Sequence, residues 1–203
     1  MKRIILGICS LVILALTASA LWATNPGDAP QIPDTLDPSE TSLAIDLSIE
    51  EMATQADLIV IGQCVDTRSH WVDRNLVTLA TVSAREVIKG DGSSSVTVVL
   101  PGGVDANRKI PIAMTYPGAP RITPSEDVFL FLTQDDEFVG GYGIVGFAQG
   151  KFSIVKDENG QEVVSRDLTR VALRGKAGVR RGTVNTTSLS RLKAQITDYL
   201  RKR

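Results

Sequence analysis

The feature that most constrains the fold is a long stretch of strand-forming sequence between residues 58 and 100. It starts with the aliphatic run LIVI, continues through a second long run at 76–89 and ends with SVTVVL at 95–100. Turn residues separate the runs, Asp73-Arg74-Asn75 after the first and Lys89-Gly90-Asp91-Gly92 after the second. Short β-branched runs bounded by turn residues are typical of antiparallel strands. The sequence therefore predicts a mainly β protein built on a long hairpin.

Strand patterns continue to about residue 165, and helical patterns flank them. We expect strands at 127–133, in KFSIVK and in QEVVS, with a hairpin signal joining the last two. Ser48 and Glu51 form a capping box, which predicts a short helix from 49 to about 56. Apolar residues at helical spacing predict a second helix over 188–200. The Gly- and Arg-rich residues 174–187 show neither pattern and are predicted to be loop.

The N-terminal residues have the pattern of an export signal. A basic start, MKR, precedes an apolar run from Ile4 to about Leu16, and Ala18-Ser19-Ala20 has the small-x-small pattern of a signal-peptidase site. We expect a signal peptide over 1–20, with cleavage after Ala20 or alternatively after Ala23. The mature protein would then be periplasmic or secreted. The alternative is a chain anchored in the membrane by an uncleaved N-terminal helix.

Charge is unevenly distributed along the mature chain. Residues 21–165 hold 9 basic and 21 acidic residues, whereas residues 166–203 hold 11 basic and 2 acidic residues. We predict that the acidic part consists of a flexible spacer over 21–45, rich in Pro and Asp, and a folded domain over 46–165. The basic part is predicted to be a Gly/Arg loop followed by the C-terminal helix.

A basic segment of this kind has two interpretations. It neutralises the acidic domain that carries it, or it binds an anionic partner such as an envelope polymer or the headgroups of a membrane surface. The candidate contact residues are Arg174, Lys176, Arg180 and Arg181. Nucleic acid is not expected as a partner, because the chain is predicted to be exported and the segment lacks aromatic side chains for base stacking.

The stretch VGGYGIVGF at 139–147 contains a formal match to the dinucleotide-binding pattern GxGxxG. That pattern works only where a helix opens at the third glycine, and the residues that follow are strand-forming. We therefore expect no nucleotide and no other cofactor. Gly141, Gly143 and Gly146 are expected instead to mark bends or close approaches of strands, so that a Cβ at Gly143 would destabilise the fold.

Side chains suited to catalysis or metal binding are few. His70 is the one histidine of the chain, and no G-x-S-x-G nucleophile motif accompanies it. His70 is expected at the solvent edge of the hairpin, and Trp71, next to it, is expected to fill the core. A ligand or partner contact is the alternative for both His70 and Trp71. Cys64 lies in an apolar run and is expected to be a buried thiol. We predict no catalytic residues and no metal site, so the chain is not expected to be an enzyme.

Two segments carry a family resemblance. ADLIVIGQCV followed by VTLATVSAREVIKG resembles the netrin-like barrel of the tissue inhibitors of metalloproteinases, on the residues Ala56-Asp57 and Lys89-Gly90. The chain is also similar to uncharacterised exported bacterial proteins with a P-G-G loop and a G-x-x-Q-G-K-F segment, here Pro101–Gly103 and Gly146–Phe152. The resemblance implies an OB-type barrel with a short N-terminal helix and a C-terminal helix.

The inhibitory mechanism of that family is not implied. The tissue inhibitors chelate a protease zinc through an N-terminal cysteine, and neither predicted mature terminus, Leu21 or Thr24, supplies one. We predict an exported binding protein without catalytic activity, whose ligand is a protein or an anionic envelope polymer. The alternatives are an inhibitor or accessory partner of an exported protease and a hydrolase that uses His70.

Overall fold

The computed structural model describes residues 40–91, 93–135 and 140–202. The predicted signal peptide and the predicted spacer up to residue 39 lie outside the described residues, as do residues 136–139 around a predicted turn. Within the described residues the protein is mainly β, with thirteen strands and two helices.

The helices and strands are each numbered in the order in which they occur along the chain. The helices are α1 (Ile49–Gln55) and α2 (Leu189–Arg201). The strands are β1 (Ser42–Ile45), β2 (Leu58–Val72), β3 (Asn75–Lys89), β4 (Ser95–Pro101), β5 (Gly103–Asp105), β6 (Ile112–Met114), β7 (Asp127–Gln134), β8 (Gly141–Ile144), β9 (Lys151–Lys156), β10 (Glu162–Asp167), β11 (Val171–Gly175), β12 (Gly178–Arg181) and β13 (Val184–Ser188).

The large sheet has the strand order β13–β10–β9–β7–β2–β3–β4–β8. Strands β2 and β3 form the predicted long hairpin, and Asp73 takes a left-handed conformation at its turn. Strand β8 pairs in parallel with β4 and antiparallel with β7. The small sheet has the order β1–β11–β12, and β5 pairs with β6 as a separate hairpin.

Two apolar clusters lie on opposite faces of the large sheet. Phe129 and Phe131 of β7 belong to the first cluster together with residues of both helices. Their neighbours Val128, Leu130 and Leu132 belong to the second cluster, which β2, β3 and β4 complete. Because successive side chains of a strand point to opposite faces, β7 is apolar at almost every position. This explains the continuous run VFLFL.

Both predicted helices are confirmed. At the start of α1, the Oγ of Ser48 accepts from the Glu51 N–H at 3.1 Å and the Ser48 N–H donates to the Glu51 carboxylate at 2.8 Å. Helix α2 buries Leu189, Leu192 and Ile196 in the first cluster. The two helices therefore cover one face of the large sheet and leave its other face to the second cluster.

The prediction of a loop over 174–187 is wrong, because much of that stretch belongs to β11, β12 and β13. The apolar residues at the start of β11 are buried, whereas the arginines occupy exposed strand positions. The composition that suggested a loop thus belongs to a solvated sheet face and a tight turn, in which Gly178 has a φ of 111°. The predicted spacer is also too long, since residues 42–45 form β1 and pair with β11.

The expectation that Gly143 is crowded is wrong. A Cβ built on Gly143 would meet only the Asp135 carboxylate, at 3.9 Å. The crowded positions are Gly146, which has a φ of 65° and a Cβ site 2.8 Å from Leu47, and Gly150, whose Cβ site is 2.9 Å from the Phe131 carbonyl oxygen. The residues after Gly146 form a turn and then β9, where a dinucleotide fingerprint would need a helix.

Candidate functional site

The motif residues of the family resemblance meet in a structural joint at the end of α1. The Lys89 ammonium donates to the carbonyl oxygens of Ala53 at 2.9 Å and Ala56 at 2.5 Å, which the last turn of the helix leaves without an intrahelical partner. Hydrogen bonds from the Gln134 N–H and then the Thr133 hydroxyl hold the pKa of Asp57 below its ordinary value. These residues fasten α1 to β3 and β7.

A second motif residue, Gln149, closes another joint. Its side chain is fully buried, accepts from the Leu47 N–H at 3.0 Å and donates to the Ile45 carbonyl at 2.7 Å. Its own carbonyl accepts from Arg166 at 3.1 Å, and the Arg166 guanidinium lies 5.0 Å from the centre of the Phe152 ring. The Q-G-K-F segment therefore ties the end of β1 to the first cluster, and its polar groups are used within the fold.

Trp71 and His70 point to opposite faces of β2, as neighbours in a strand do. Trp71 is half-buried and lies outside the core clusters: its indole N–H donates to Asp105 at 2.8 Å and Arg108 stacks on the ring at 5.0 Å. It therefore fixes the β5–β6 hairpin, and the expected core position is wrong. His70 is exposed on β2, and its partner across the hairpin is the aliphatic Val77.

The four basic candidate residues lie on the β11–β12 hairpin, and the strand alternation separates them. Arg180 makes a bidentate ion pair with Asp46, with both hydrogen bonds at 3.0 Å. Arg174 and Arg181 are exposed on the other face of the same sheet. Lys176 is exposed at the turn. The pKa of Glu51 is lowered mainly by its hydrogen bonds with Ser48, and the nearby charge of Lys176 lowers that pKa further.

A polar cleft of about 580 Å³ lies between the loop 116–121 and strands β9 and β10. Its lining includes the basic side chains of Arg121, Lys151 and Arg170 and the hydroxyl groups of Ser165 and Thr169. Arg121 and Arg170 are exposed and form no ion pair within the described part of the chain. The lining also contains the Asp167 carboxylate, which accepts from the Thr169 hydroxyl at 2.7 Å. The two arginines outnumber this carboxylate, so the concave surface can bind an anionic ligand that also carries hydroxyls.

The register of the large sheet explains why polar groups line this cleft. Ser153 of β9 stands opposite both Val128 of β7 and Ser165 of β10. Cross-strand partners share a face, so the cleft lies on the face that carries the second apolar cluster. That face is enclosed near β7 and open over β9 and β10, where the odd-numbered residues are Lys151, Ser153 and Val155.

The floor of the cleft holds a hydrogen-bonded cluster of Glu126, Lys151 and Ser153. The Lys151 ammonium lies 2.5 Å from the Glu126 carboxylate and 2.8 Å from the Ser153 hydroxyl, and that hydroxyl donates to the carboxylate at 2.7 Å. Burial raises the pKa of Glu126, but the hydrogen bonds from Lys151, the Thr123 N–H and Ser153 outweigh burial and hold the pKa below its ordinary value. The three side chains thus hold one another in place and shape the floor of the cleft.

A smaller apolar cleft of about 310 Å³ adjoins the polar cleft. Its lining includes Leu100, Met114 and Ile122, and it shares Tyr116 and Arg121 with the polar cleft. The loop 116–121 is held in place by Ser42, whose hydroxyl donates to the Pro117 carbonyl at 2.6 Å. This loop therefore shapes both clefts.

The cleft residues were not among the candidates that the sequence suggested. Arg121 and Arg170 lie in loops without a motif, and only the fold brings them to one concave surface. The alternation of polar Lys151 and Ser153 with apolar Phe152 and Ile154 along β9 was a usable signal for one open sheet face, because a strand buried on one side alternates in polarity.

Comparison of the chain with protein-family models, with curated proteins and with solved structures found no match. In the described part of the chain, no group of three or more His, Cys, Asp and Glu side chains is arranged to hold a metal ion. Helices long and apolar enough to span a bilayer are likewise missing from the described residues.

Proposed function

We propose that this chain is an exported binding protein without catalytic activity, and that its main domain is an OB-type barrel. What supports the barrel is the order of pairing: β7 pairs with β2, β2 with β3, β3 with β4, β4 with β8, and β8 with β7 again. Five strands paired in a ring match the strand count of an OB barrel, a fold that binds its ligands through loops and an open sheet face.

We further propose that the ligand is an anionic envelope polymer, a polysaccharide with carboxylate groups, and that it binds in the polar cleft. The observation that carries this proposal is the pair Arg121 and Arg170, exposed on one cleft without an ion-pair partner in the described residues. Arginine is suited to carboxylates because its planar fork makes two parallel hydrogen bonds. The Ser165 hydroxyl, and the Thr169 hydroxyl oxygen as an acceptor while its proton is donated to Asp167, offer partners for sugar hydroxyl groups.

Titration calorimetry with polygalacturonate tests the proposal, with neutral dextran as the control ligand. We expect binding that weakens with added salt, and about a tenfold loss of affinity for each of Arg121→Ala and Arg170→Ala. The matched control is Arg191→Ala, an exposed arginine on α2, which covers the opposite face of the large sheet. Deleting residues 166–203 would remove α2 and three strands, so point variants are the sharper tool.

Three outcomes would overturn the proposal. If dextran bound as tightly as polygalacturonate, charge would not drive binding. If Arg191→Ala lost as much affinity as the cleft variants, the cleft would not be the binding site. Binding of polyglutamate without binding of polygalacturonate would identify an acidic polypeptide as the partner.

Export is tested separately by fractionation of the producing cells and by N-terminal sequencing. An intact N-terminus at Met1 would favour the anchored form.

A further inference from the structure

The strand alternation divides the small sheet into two chemically different faces. One face packs on a third apolar cluster, which contains Val171 and Leu173 of β11 and contacts Ala44 of β1. Arg180 lies on the same face and pairs with Asp46. On the other face, Leu43 lies opposite Ala172 and Ile45 lies opposite Arg174 in the register of the sheet. Cross-strand partners share a face, so these side chains form one surface.

We call this surface the outer face. It consists of Leu43, Ile45, Arg174, Val179 and Arg181, because Ala172 stands opposite Arg181 and Arg174 stands opposite Val179. Leu43 is 51% exposed and Ile45 is 71% exposed. The three strands contain three arginines and no acidic residue, and the one inward arginine, Arg180, is the one with an ion pair. The outer face thus combines exposed aliphatic side chains with two arginines, Arg174 and Arg181, that form no ion pair among the described residues.

We propose that the outer face docks on the surface of an anionic lipid bilayer. Aliphatic side chains enter the boundary between headgroups and acyl chains, while arginines at the same depth are attracted by anionic headgroups. An acidic partner would account for the arginines but not for the exposed aliphatic pair, and an apolar partner would leave the arginines desolvated without a counter-charge.

Co-sedimentation with vesicles tests this inference, using the protein as purified with its N-terminus determined by mass spectrometry. The two vesicle types are phosphatidylcholine alone and phosphatidylcholine mixed with phosphatidylglycerol. We expect binding to the anionic vesicles only, and a loss of about fivefold in affinity for each of Arg174→Ala and Arg181→Ala. Ile45→Ser is expected to weaken binding even at low salt, since its contribution is apolar burial.

Matched controls distinguish binding through the outer face from non-specific binding of exposed apolar or basic side chains. Ile110→Ser removes a side chain that is 77% exposed in a loop, and Arg191→Ala removes an exposed arginine on α2. Both are expected to bind vesicles like the parent protein. The inference is overturned if Ile45→Ser has no effect, if the controls lose as much as the outer-face variants, or if neutral vesicles bind equally well. A change in oligomeric state by Ile45→Ser, with vesicle binding unaltered, would identify a contact between copies instead.

The inference does not rest on the polar cleft. Arg121 lies outside the outer face, so Arg121→Ala is expected to leave vesicle binding unchanged. Arg174 lies outside the cleft lining, so Arg174→Ala is expected to leave polygalacturonate binding unchanged. The two proposals can therefore fail independently.

Discussion

Lys89 and Lys151 lie in two regions of the molecule that use their charged side chains differently. Lys89 donates to backbone carbonyls at the end of α1, inside the joint that holds the helix to the sheet. Lys151 pairs with a carboxylate on the floor of an open cleft, beside two arginines without ion pairs in the described residues. The joint uses its polar groups internally, whereas the cleft and the outer face also carry exposed arginines that form no ion pair in the described residues. Ala56-Asp57, Lys89-Gly90 and Gln149 lie in the joints, whereas Lys151 of the Q-G-K-F segment lines the polar cleft.

The largest effect is expected at the glycine of the joint. Gly90 has a φ of 84°, and a Cβ there would press on the Asp57 carbonyl oxygen, so Gly90→Ala should lower the free energy of unfolding by about 3 kcal/mol. Gly160 has a φ of 76° with open space around it, and Gly160→Ala should cost about 1 kcal/mol. Denaturant unfolding of the two variants measures both values.

Gly143→Ala completes the series. Gly143 lies in β8 with room for a Cβ, so this change should leave stability within about 0.5 kcal/mol or raise it slightly. A Gly90→Ala protein no less stable than Gly143→Ala would show that the joint tolerates distortion and would remove the distinction between the two regions.

The next largest effect concerns Lys89 itself. Lys89→Met keeps the aliphatic stem but leaves the carbonyls of Ala53 and Ala56 without their charged donor, so we expect a loss of about 2 kcal/mol. Lys156→Met, at an exposed position of β9, is the matched control and should stay within about 0.5 kcal/mol of the parent. Thermal unfolding by circular dichroism compares the two, and equal melting temperatures would contradict the role of the joint.

Much of the fold could be predicted from local patterns. The β2–β3 hairpin, both helices and β7 follow from periodicity, capping and turn residues that act within a few positions of the chain. Strands β11 to β13 could not be predicted this way. The exposed arginines and glycines of β11 and β12 have the composition of a loop, and β13 consists mostly of exposed polar residues. Their strand conformation depends on pairing with β1 and β10, which are distant in sequence.

The candidate sites were less predictable than the fold. Arg174, Arg180 and Arg181 were suggested by charge alone, but the sequence could not say that Arg180 is engaged with Asp46 while the other two remain exposed. Arg121 and Arg170 carry no local signal, and their proximity results from the packing of the 116–121 loop on the small sheet. A binding surface assembled from separate loops leaves little trace in a linear pattern.

A smaller effect with a clear pH dependence is expected for Glu126 on the floor of the cleft. Because the pKa of Glu126 is lower in the folded than in the unfolded protein, its charge stabilises the fold above the unfolded pKa. That contribution is lost as the pH falls through the folded pKa. Glu126→Gln should therefore cost about 1 kcal/mol at neutral pH, and the difference should shrink in acid.

Denaturant unfolding at a series of pH values measures this convergence. Glu158→Gln, at the exposed turn between β9 and β10, is the control and should differ from the parent by less than about 0.5 kcal/mol. A cost of Glu126→Gln that stays constant from neutral to acidic pH would mean that the Glu126 charge does not stabilise the cleft floor.

The smallest effect distinguishes two arginines that are neighbours in β12. Arg180→Ala removes a bidentate pair with Asp46 at a half-exposed site, so it should cost about 0.5–1 kcal/mol, and less in high salt. The loss is limited because Arg180 lies near Arg166. Burial lowers the pKa of the Arg166 guanidinium, Asp46 counteracts that shift and Arg180 adds to it, so removing Arg180 relieves a repulsion.

Arg181→Ala should leave stability within about 0.3 kcal/mol, since Arg181 lies on the outer face and its guanidinium makes one long hydrogen bond, 3.4 Å, to the Thr169 carbonyl. A double-mutant cycle with Asp46→Ala gives the coupling energy of each arginine. Coupling at Arg180 with none at Arg181, together with loss of vesicle binding at Arg181 alone, would assign one arginine to the fold and the other to the surface. Equal coupling at both positions would mean that the outer face is part of the internal charge balance, and the membrane inference would then lose its basis.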